Sequence, residues 1–415
     1  MPGGAPIAMW DDHFMVGVNY WPRTKAMFWW KHFDPEEVRA DLAEIASWHL
    51  DGIRIFLMWE DFMPEPHTVD PWMLERLRQV LDLAHMHGLR VILTLFTGHM
   101  SGVNWLPPWL LDGDRESDPR FRLIAGGRAV KGRLRDLYED PMALDAQVRM
   151  LEAAAQAVGD HPALLAWDLG NEPDLVLRPR TPEAAAGWLA TLTRALRAMD
   201  PAHPITVGFH SPVLEEDLGF RIRALAPMLD FLCMHGYPVY AQWARHPLDE
   251  QALAFLTRLT ASLGMKPVLF EEFGLPTAPP GQPTHKVSIR LEDRSFEVTL
   301  IAEEEAAAFF ERALEALHQA GALGAFIWCF SDYHPDLWDH PPCDRLVHER
   351  HFGLLRPDGS RKPAVEAVAR FAARKRPVVS PPAPLPVPED YESHPGEALR
   401  ELYARFLQAG NSVRS

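Results

Sequence analysis

The sequence is poor in cysteine, with three in 415 residues. Cys233, Cys329 and Cys343 are an odd number without paired spacing, so neither a disulfide framework nor a zinc site is indicated, and they read as reduced core or loop thiols. Positive charge is also in deficit. Against 57 acidic residues stand 41 lysines and arginines, and a net charge of −16 offers no basic footprint for a phosphate backbone, which excludes nucleic acid as an expected partner. No apolar run approaches the roughly 20 residues of a membrane-spanning helix, so no membrane partner is expected either. The opening MPGGAPIAMWDDHF lacks the basic and apolar stretches of a secretory signal. A cytoplasmic location is the expectation, or a secreted one if a leader has been removed.

What remains is an ordinary globular composition, 47% hydrophobic and 24% charged, in a chain long enough for one large core. It repeats one grammar: a short apolar run, a polar or aromatic loop, a helix opened by a cap residue and proline, then a closing glycine. The apolar runs centre near Val16, Ile53, Val91, Leu165, Ile205, Phe231, Val268 and Phe326. Helices are expected to open at Asp34-Pro35, Asp70-Pro71, Asp140-Pro141 and Thr181-Pro182, and Gly88, Gly159, Gly264 and Gly321 sit where left-handed closing residues belong. Val38, Leu42, Ile45 and His49 follow helical spacing, as do Leu74, Leu77, Leu81 and Ala84. Eight strand-helix units predict an α/β fold, a (β/α)8 TIM barrel with enlarged loops after its strands, over 1–375. The rest, 376–415, reads as a proline-rich extended stretch and a last helix, Glu397 to Leu407, packed back on the barrel through Leu399, Leu402 and Phe406. The insertion from Pro276 to Val298 is long for a barrel connection and predicts a lid or a small hairpin.

In this fold polar residues at the C-terminal ends of strands are the ones to question. The fourth strand, ALLAWDLGNEPD, ends in Asn171, Glu172 and Pro173; the seventh, KPVLFEEFG, ends in Glu271 and Glu272. Side chains alternate along a strand, so only one of the two glutamates is expected to face the barrel mouth. Two carboxyls from opposite sides of the barrel suit glycosidic cleavage with retention, one protonating the leaving oxygen and the other attacking the anomeric carbon. Arg54, inside the apolar run GIRIFLMW, needs a partner if buried, and a carboxylate nucleophile is the obvious one. Such an Arg would hold the nucleophile's pKa below that of the acid/base. His235 and Tyr237 share a face of the sixth strand, where a phenol can bond the nucleophile and an imidazole a sugar hydroxyl. His99 and His210 end the third and fifth strands. Of the 14 tryptophans, Trp21, Trp29, Trp30, Trp105, Trp109 and Trp338 fall in loops and Trp328 ends the eighth strand, where flat faces suit pyranose rings.

These residues resemble glycoside hydrolase clan A, and within it the family 5 enzymes, especially β-mannanase- and β-mannosidase-like members. The similarity runs from about Gly17 to Arg370 and rests on Arg54, the Asn171-Glu172-Pro173 triplet, His235 and Tyr237, Glu272-Phe273-Gly274 and Trp328. KPVLFEEFG resembles mannanases in particular, and FGLLRPDGSRKPA, Phe352 to Ala364, resembles the closing segment of several clan members. The resemblance implies Glu172 as acid/base, Asn171 on the sugar 2-hydroxyl and Glu272 as nucleophile. It implies a retaining hydrolase of β-mannosidic linkages, in mannan or manno-oligosaccharides, without cofactor or metal. Arg54, His99, Asn171, His235, Tyr237, Trp328 and Trp21 are the expected substrate-binding residues. An exo-acting β-glucosidase or β-galactosidase of the same clan is the alternative. A metal-dependent barrel hydrolase, prompted by 19 histidines, lacks a histidine pair on its first strand, which ends GVNYW. A non-catalytic carbohydrate-binding barrel would have no reason to retain both carboxylates.

Overall fold

The computed structural model describes residues 12–291 and 294–412. Residues 1–11, the larger part of the opening MPGGAPIAMWDDHF on which the cytoplasmic expectation rests, and 292–293 within the insertion lie outside the described residues. Eight parallel strands appear where the apolar runs fall: β1 (Met15–Asn19), β2 (Gly52–Met58), β3 (Arg90–Thr97), β4 (Leu164–Asn171), β5 (Ile205–Gly208), β6 (Leu232–His235), β7 (Val268–Phe273) and β8 (Gly324–Ile327). Each pairs with the next in chain order from β1 to β5 and from β6 to β8, and β8 pairs with β1. Between β5 and β6 the His235 amide donates to the Phe209 carbonyl at 2.7 Å and the Ser211 amide to the His235 carbonyl at 2.9 Å, which closes the barrel.

Met15, Ile92, Leu165, Phe231, Cys233, Leu269 and Phe326 fill the barrel below the site as one cluster. Gly17 in β1 leaves room for this filling, since a Cβ there would sit 2.3 Å from the Phe326 ring. Helices surround the strands, and their openings follow the caps. The Asp34, Asp70 and Asp140 carboxylates accept amide protons from Glu36, Trp72 and Ala143 at 3.1, 2.8 and 3.0 Å, and the Thr181 hydroxyl accepts from Ala184 at 3.2 Å. Gly88 and Gly321 are left-handed, as expected. Gly159 keeps a helical φ of −64°, and Gly264 is the last residue of its helix, with Met265 at φ 52° in the left-handed place. Gly264 is needed for closeness instead, since a Cβ would stand 2.4 Å from Leu232. Val38, Leu42 and Ile45 face the core, whereas His49 lies beyond the helix at φ 61° and is exposed.

Three connections above the strand ends are enlarged. After β3 comes a small sheet of His99–Met100, Val103–Trp105, Arg122–Ala125 and Arg128–Val130. After β7 comes the insertion, a hairpin of His285–Arg290 and Ser295–Leu300. After β8 a long irregular loop carries short 3-10 turns at Pro335–Leu337 and Val347–His351. The extension begins on the barrel floor, where the Phe14 amide donates to the Arg376 carbonyl at 2.7 Å, and leads to a helix, Pro395–Ser412. Leu399, Leu402 and Tyr403 of that helix are buried and Phe406 half-buried. Among the described residues no helix is long and apolar enough to cross a membrane, and all three cysteines are free and buried.

Candidate active site

The end of β7 departs from strict alternation. Leu269 points into the barrel, and Phe270 and Phe273 both turn out, 6.2 Å from each other, with Phe273 against Phe310 of the helix Glu303–Gln319. The two residues between them therefore both face inward. The ladder shows the irregularity as register shifts, between Met234 and His235 toward β6 and between Phe270 and Phe273 toward β8. The expectation that only one glutamate faces inward is corrected accordingly: Glu271 lies fully buried and Glu272 sits above it at the mouth, its side chain 7% exposed. A matching shift in β4 turns both Asp168 and Asn171 inward. Glu172 follows in the left-handed region at φ 47°, a strained conformation for glutamate that costs about 1–2 kcal/mol.

Arg54 binds these groups together. Its guanidinium is fully buried and donates to Glu272 through Nη1, to Asp168 at 2.8 Å and Asn171 at 2.9 Å through Nη2, and to Thr94 at 2.8 Å through Nε. Asn19 accepts from Nη1 at 3.1 Å, and Glu271 lies 3.4 Å from Nε. Only the planar fork of arginine reaches so many acceptors at once.

His235 joins the carboxylates from the other side. Its Nδ1 lies 2.8 Å from Glu172 and 3.6 Å from Glu272, and its Nε2 lies 3.3 Å from Glu271. The Tyr237 hydroxyl donates to Glu272 at 2.8 Å. Burial lowers the His235 pKa, but Glu272, Glu172 and Glu271 outweigh it and push it up to about 10. Burial raises Glu172, and the rings of His210, His235 and His99 overcome it to bring that carboxyl down to about 2. Burial raises Glu272 as well, against the pull of His235 and Arg54 and with the charge of Glu172 adding to it. The site thus reverses the expected order, in which Arg54 holds the nucleophile below the acid/base. The cause is the division of the Arg54 charge among Asp168, Glu271 and Glu272 while the histidines gather around Glu172. Moving one proton along the 2.8 Å contact from His235 Nδ1 to Glu172 gives a neutral ring and a carboxylic acid with no change in proton count.

Among the described residues, Glu172, His235 and Glu272 form a group with ligand-type atoms all within 4.8 Å of one another. Above them opens a cavity of about 380 Å³, within the size range of small-molecule sites.

The family model for Cellulase (glycosyl hydrolase family 5) matches residues 15–291. The chain belongs to glycosyl hydrolase family 5. Mannan endo-1,4-beta-mannosidase F of Aspergillus clavatus is 24% identical to this family 5 chain over 216 residues, 49% of this chain and 44% of that protein. Mannan endo-1,4-beta-mannosidase 2 of Oryza sativa subsp. japonica is 28% identical over 302 residues, 64% of this chain and 63% of that protein. The chain therefore spans less than two thirds of the length of either relative. A variant of GH5_18 from Streptomyces cattleya, solved in complex with Manβ1-4GlcNAc, superposes with a TM-score of 0.77 at 24% identity, over 96% of this chain and 92% of that one. At that identity the likeness is one of fold.

In the family 5 barrel Glu172, Glu272, His99, Asn171, His210, His235, Tyr237 and Trp328 all line the cavity, with Arg54 directly beneath. His235 serves the carboxylates, where a sugar hydroxyl was expected. Asn171 accepts from Arg54 and donates to the His99 carbonyl at 3.0 Å, while the His99 ring meets Asn104 at 2.7 Å. His210 is held by Asp174 at 2.8 Å.

The loop tryptophans do not line the cavity. Trp21 stacks on Phe56 at 4.7 Å, Phe56 meets Trp328 edge-on at 5.9 Å, and Trp29 lies 4.0 Å from Trp30. The loop after β1 folds into a buried aromatic layer behind Trp328, so Trp21 supports the cavity wall without reaching the cavity. The aromatic lining comes instead from Phe121, Tyr237, Tyr240, Phe296, Trp328 and Phe352. Asp168 escaped notice although a charge in ALLAWDLG carries the same signal that marked Arg54.

Proposed function

We propose that this family 5 protein is a retaining β-glycoside hydrolase acting on β-mannosidic linkages, with Glu172 as acid/base and Glu272 as nucleophile. The observation that carries the reading is the closeness of the two carboxyls, which bring oxygens within 4.8 Å of each other. Retaining enzymes place theirs about 5–5.5 Å apart, whereas inverting enzymes leave about 6.5–9.5 Å for a water. In the first step Glu272 attacks the anomeric carbon as Glu172 gives its proton to the leaving oxygen. In the second, Glu172 takes a proton from water as that water displaces Glu272, which restores both groups. Arg54 and Tyr237 each donate to one oxygen of Glu272 and fix its aim. Asn171 is assigned to the sugar 2-hydroxyl, His99 to a further hydroxyl through its Nε2, and Trp328 to the floor of the bond-cleaving subsite.

A metal at Glu172, His235 and Glu272 is disfavoured electrostatically, because the Arg54 guanidinium already occupies one Glu272 oxygen and would repel a second cation. Preference for mannose rests on the mannosidases among the relatives. The test is proton NMR of the first sugar released from β-1,4-manno-oligosaccharides, with cello-oligosaccharides in parallel. The β-anomer is expected before mutarotation, with the manno series cleaved faster. An initial α-anomer removes the double displacement, and faster cellopentaose cleavage removes the sugar preference.

A further inference from the structure

The enlarged loops make contacts that a simple open cleft would not have. In a closed ring of eight strands β3 and β7 stand opposite one another, so a contact between their loops has to cross the barrel mouth. Such a contact exists: Arg294 of the hairpin after β7 donates through Nη2 to the Arg120 carbonyl, in the loop after β3, at 2.8 Å. A second crossing joins Arg122 to Asp344 of the loop after β8 by a two-pronged pair at 2.8 and 2.6 Å. The hairpin is seated by apolar contact, with Ile289 and Val298 packed on Leu346 of that same loop. One side of the cavity is therefore walled and bridged.

Glu349 lines the cavity on this closed side, its side chain 12% exposed. Among the described residues no hydrogen bond reaches its carboxylate, and the nearest basic side chain is His348, with Nε2 at 3.3 Å from Oε1. Behind it the His348 ring meets Phe296, Tyr240 and Phe352 at 6.1, 6.2 and 6.5 Å, so the enclosure there is aromatic. A nearly buried carboxylate that accepts nothing from the protein calls for donors from a ligand.

We propose that the bridged wall makes the site a blind pocket in which Glu349 accepts a hydrogen bond from the free hydroxyl of a sugar terminus, so that cleavage proceeds from the non-reducing chain end. The proposal rests on the glycosidase reading above. Chemistry supplies the discrimination. In a β-1,4 chain O4 of the terminal sugar is a hydroxyl and can donate to a carboxylate, whereas O4 of every internal sugar is an ether oxygen and cannot. A site built to bond a hydroxyl rejects a substrate lacking it far more strongly than an apolar pocket rejects an extra methylene.

The experiment uses the whole protein on borohydride-reduced β-1,4-mannohexaose and on 4-nitrophenyl β-mannoside, with and without a methyl group on O4. Expected are mannose and the reduced pentamer as first products, and at least about a hundredfold lower kcat/KM for the O4-methylated glycoside. Glu349→Ala should lower kcat/KM on the unmodified glycoside toward the value for the O4-methylated one, so that the preference for the free hydroxyl disappears. The Arg122→Ala, Arg294→Ala double variant should begin to release internal fragments, with its Tm reported alongside to show that it remains folded. Mid-length products from the wild type, or equal rates on the two glycosides, overturn the chain-end proposal and leave the glycosidase reading standing. No turnover of any β-mannoside overturns both.

Discussion

At the scale of single residues the site is an arrangement of proton positions. His235 holds Glu172 and Glu271 on its two ring nitrogens, and the stability this gives has a defined pH window. His235 is raised from 6.5 to about 10, so its contribution is complete below pH 6.5 and is lost as pH rises through about 10. Glu172 is lowered from 4.5 to about 2, so its contribution is complete above pH 4.5 and is lost as pH falls through about 2. Together they stabilise the protein fully between pH 4.5 and 6.5. Thermal melts of the wild type should fall between pH 6.5 and 10, with a slope of up to about 1.4 kcal/mol per pH unit for one proton, and those of His235→Asn should be flatter there. Parallel melting curves for the two proteins over that range count against a protonated His235.

At the scale of elements, β7 decides which glutamate does what, because its irregular register turns two neighbours inward at different depths. Replacing Glu272 by Ala should lower turnover at least about a thousandfold, with azide restoring it on an activated aryl β-glycoside as the α-glycosyl azide. Glu172→Ala should give the β-azide, since the covalent intermediate still forms. An α-azide from Glu271→Ala with Glu272→Ala still active would shift the nucleophile by one residue. The eight strands and the capped helix starts were legible in the sequence because apolar runs, cap residues and proline are local signals. The inward turn of both Glu271 and Glu272 was not, because two-residue alternation carries no information about where a ladder slips. The tryptophans misled for a related reason: a flat ring in a loop suits a sugar and a buried aromatic layer equally well, and only the tertiary path of the loop after β1 distinguishes them.

At the scale of the whole molecule the extension ties the barrel floor to its mouth. It leaves the floor beside Phe14, is held by Arg258 at the Ala383 carbonyl and by Ser262 at the Leu385 amide, and reaches the segment after β5, where the Tyr391 hydroxyl donates to the Leu214 carbonyl at 2.6 Å. Tyr403 then donates to Asp249 at 2.6 Å. Ser211, Pro212 and Glu215, on either side of that Leu214 anchor, line the cavity. Removing residues 377–415 should therefore do two things. It exposes the surface under Leu399, Leu402 and Tyr403, a loss on the order of 3 kcal/mol that lowers Tm by about 5 °C, and it raises KM more than it lowers kcat by loosening one cavity wall. An unchanged KM in the shortened protein shows that the wall stands without the strap. Phe14, Leu214, Asp249, Arg258 and Ser262 all lie upstream of the extension in the chain, so on a ribosome, where earlier segments fold first, the barrel is in place before the strap emerges. The pocket wall is then finished after the barrel, and a nascent chain holds a complete set of acidic groups before it holds a complete binding site.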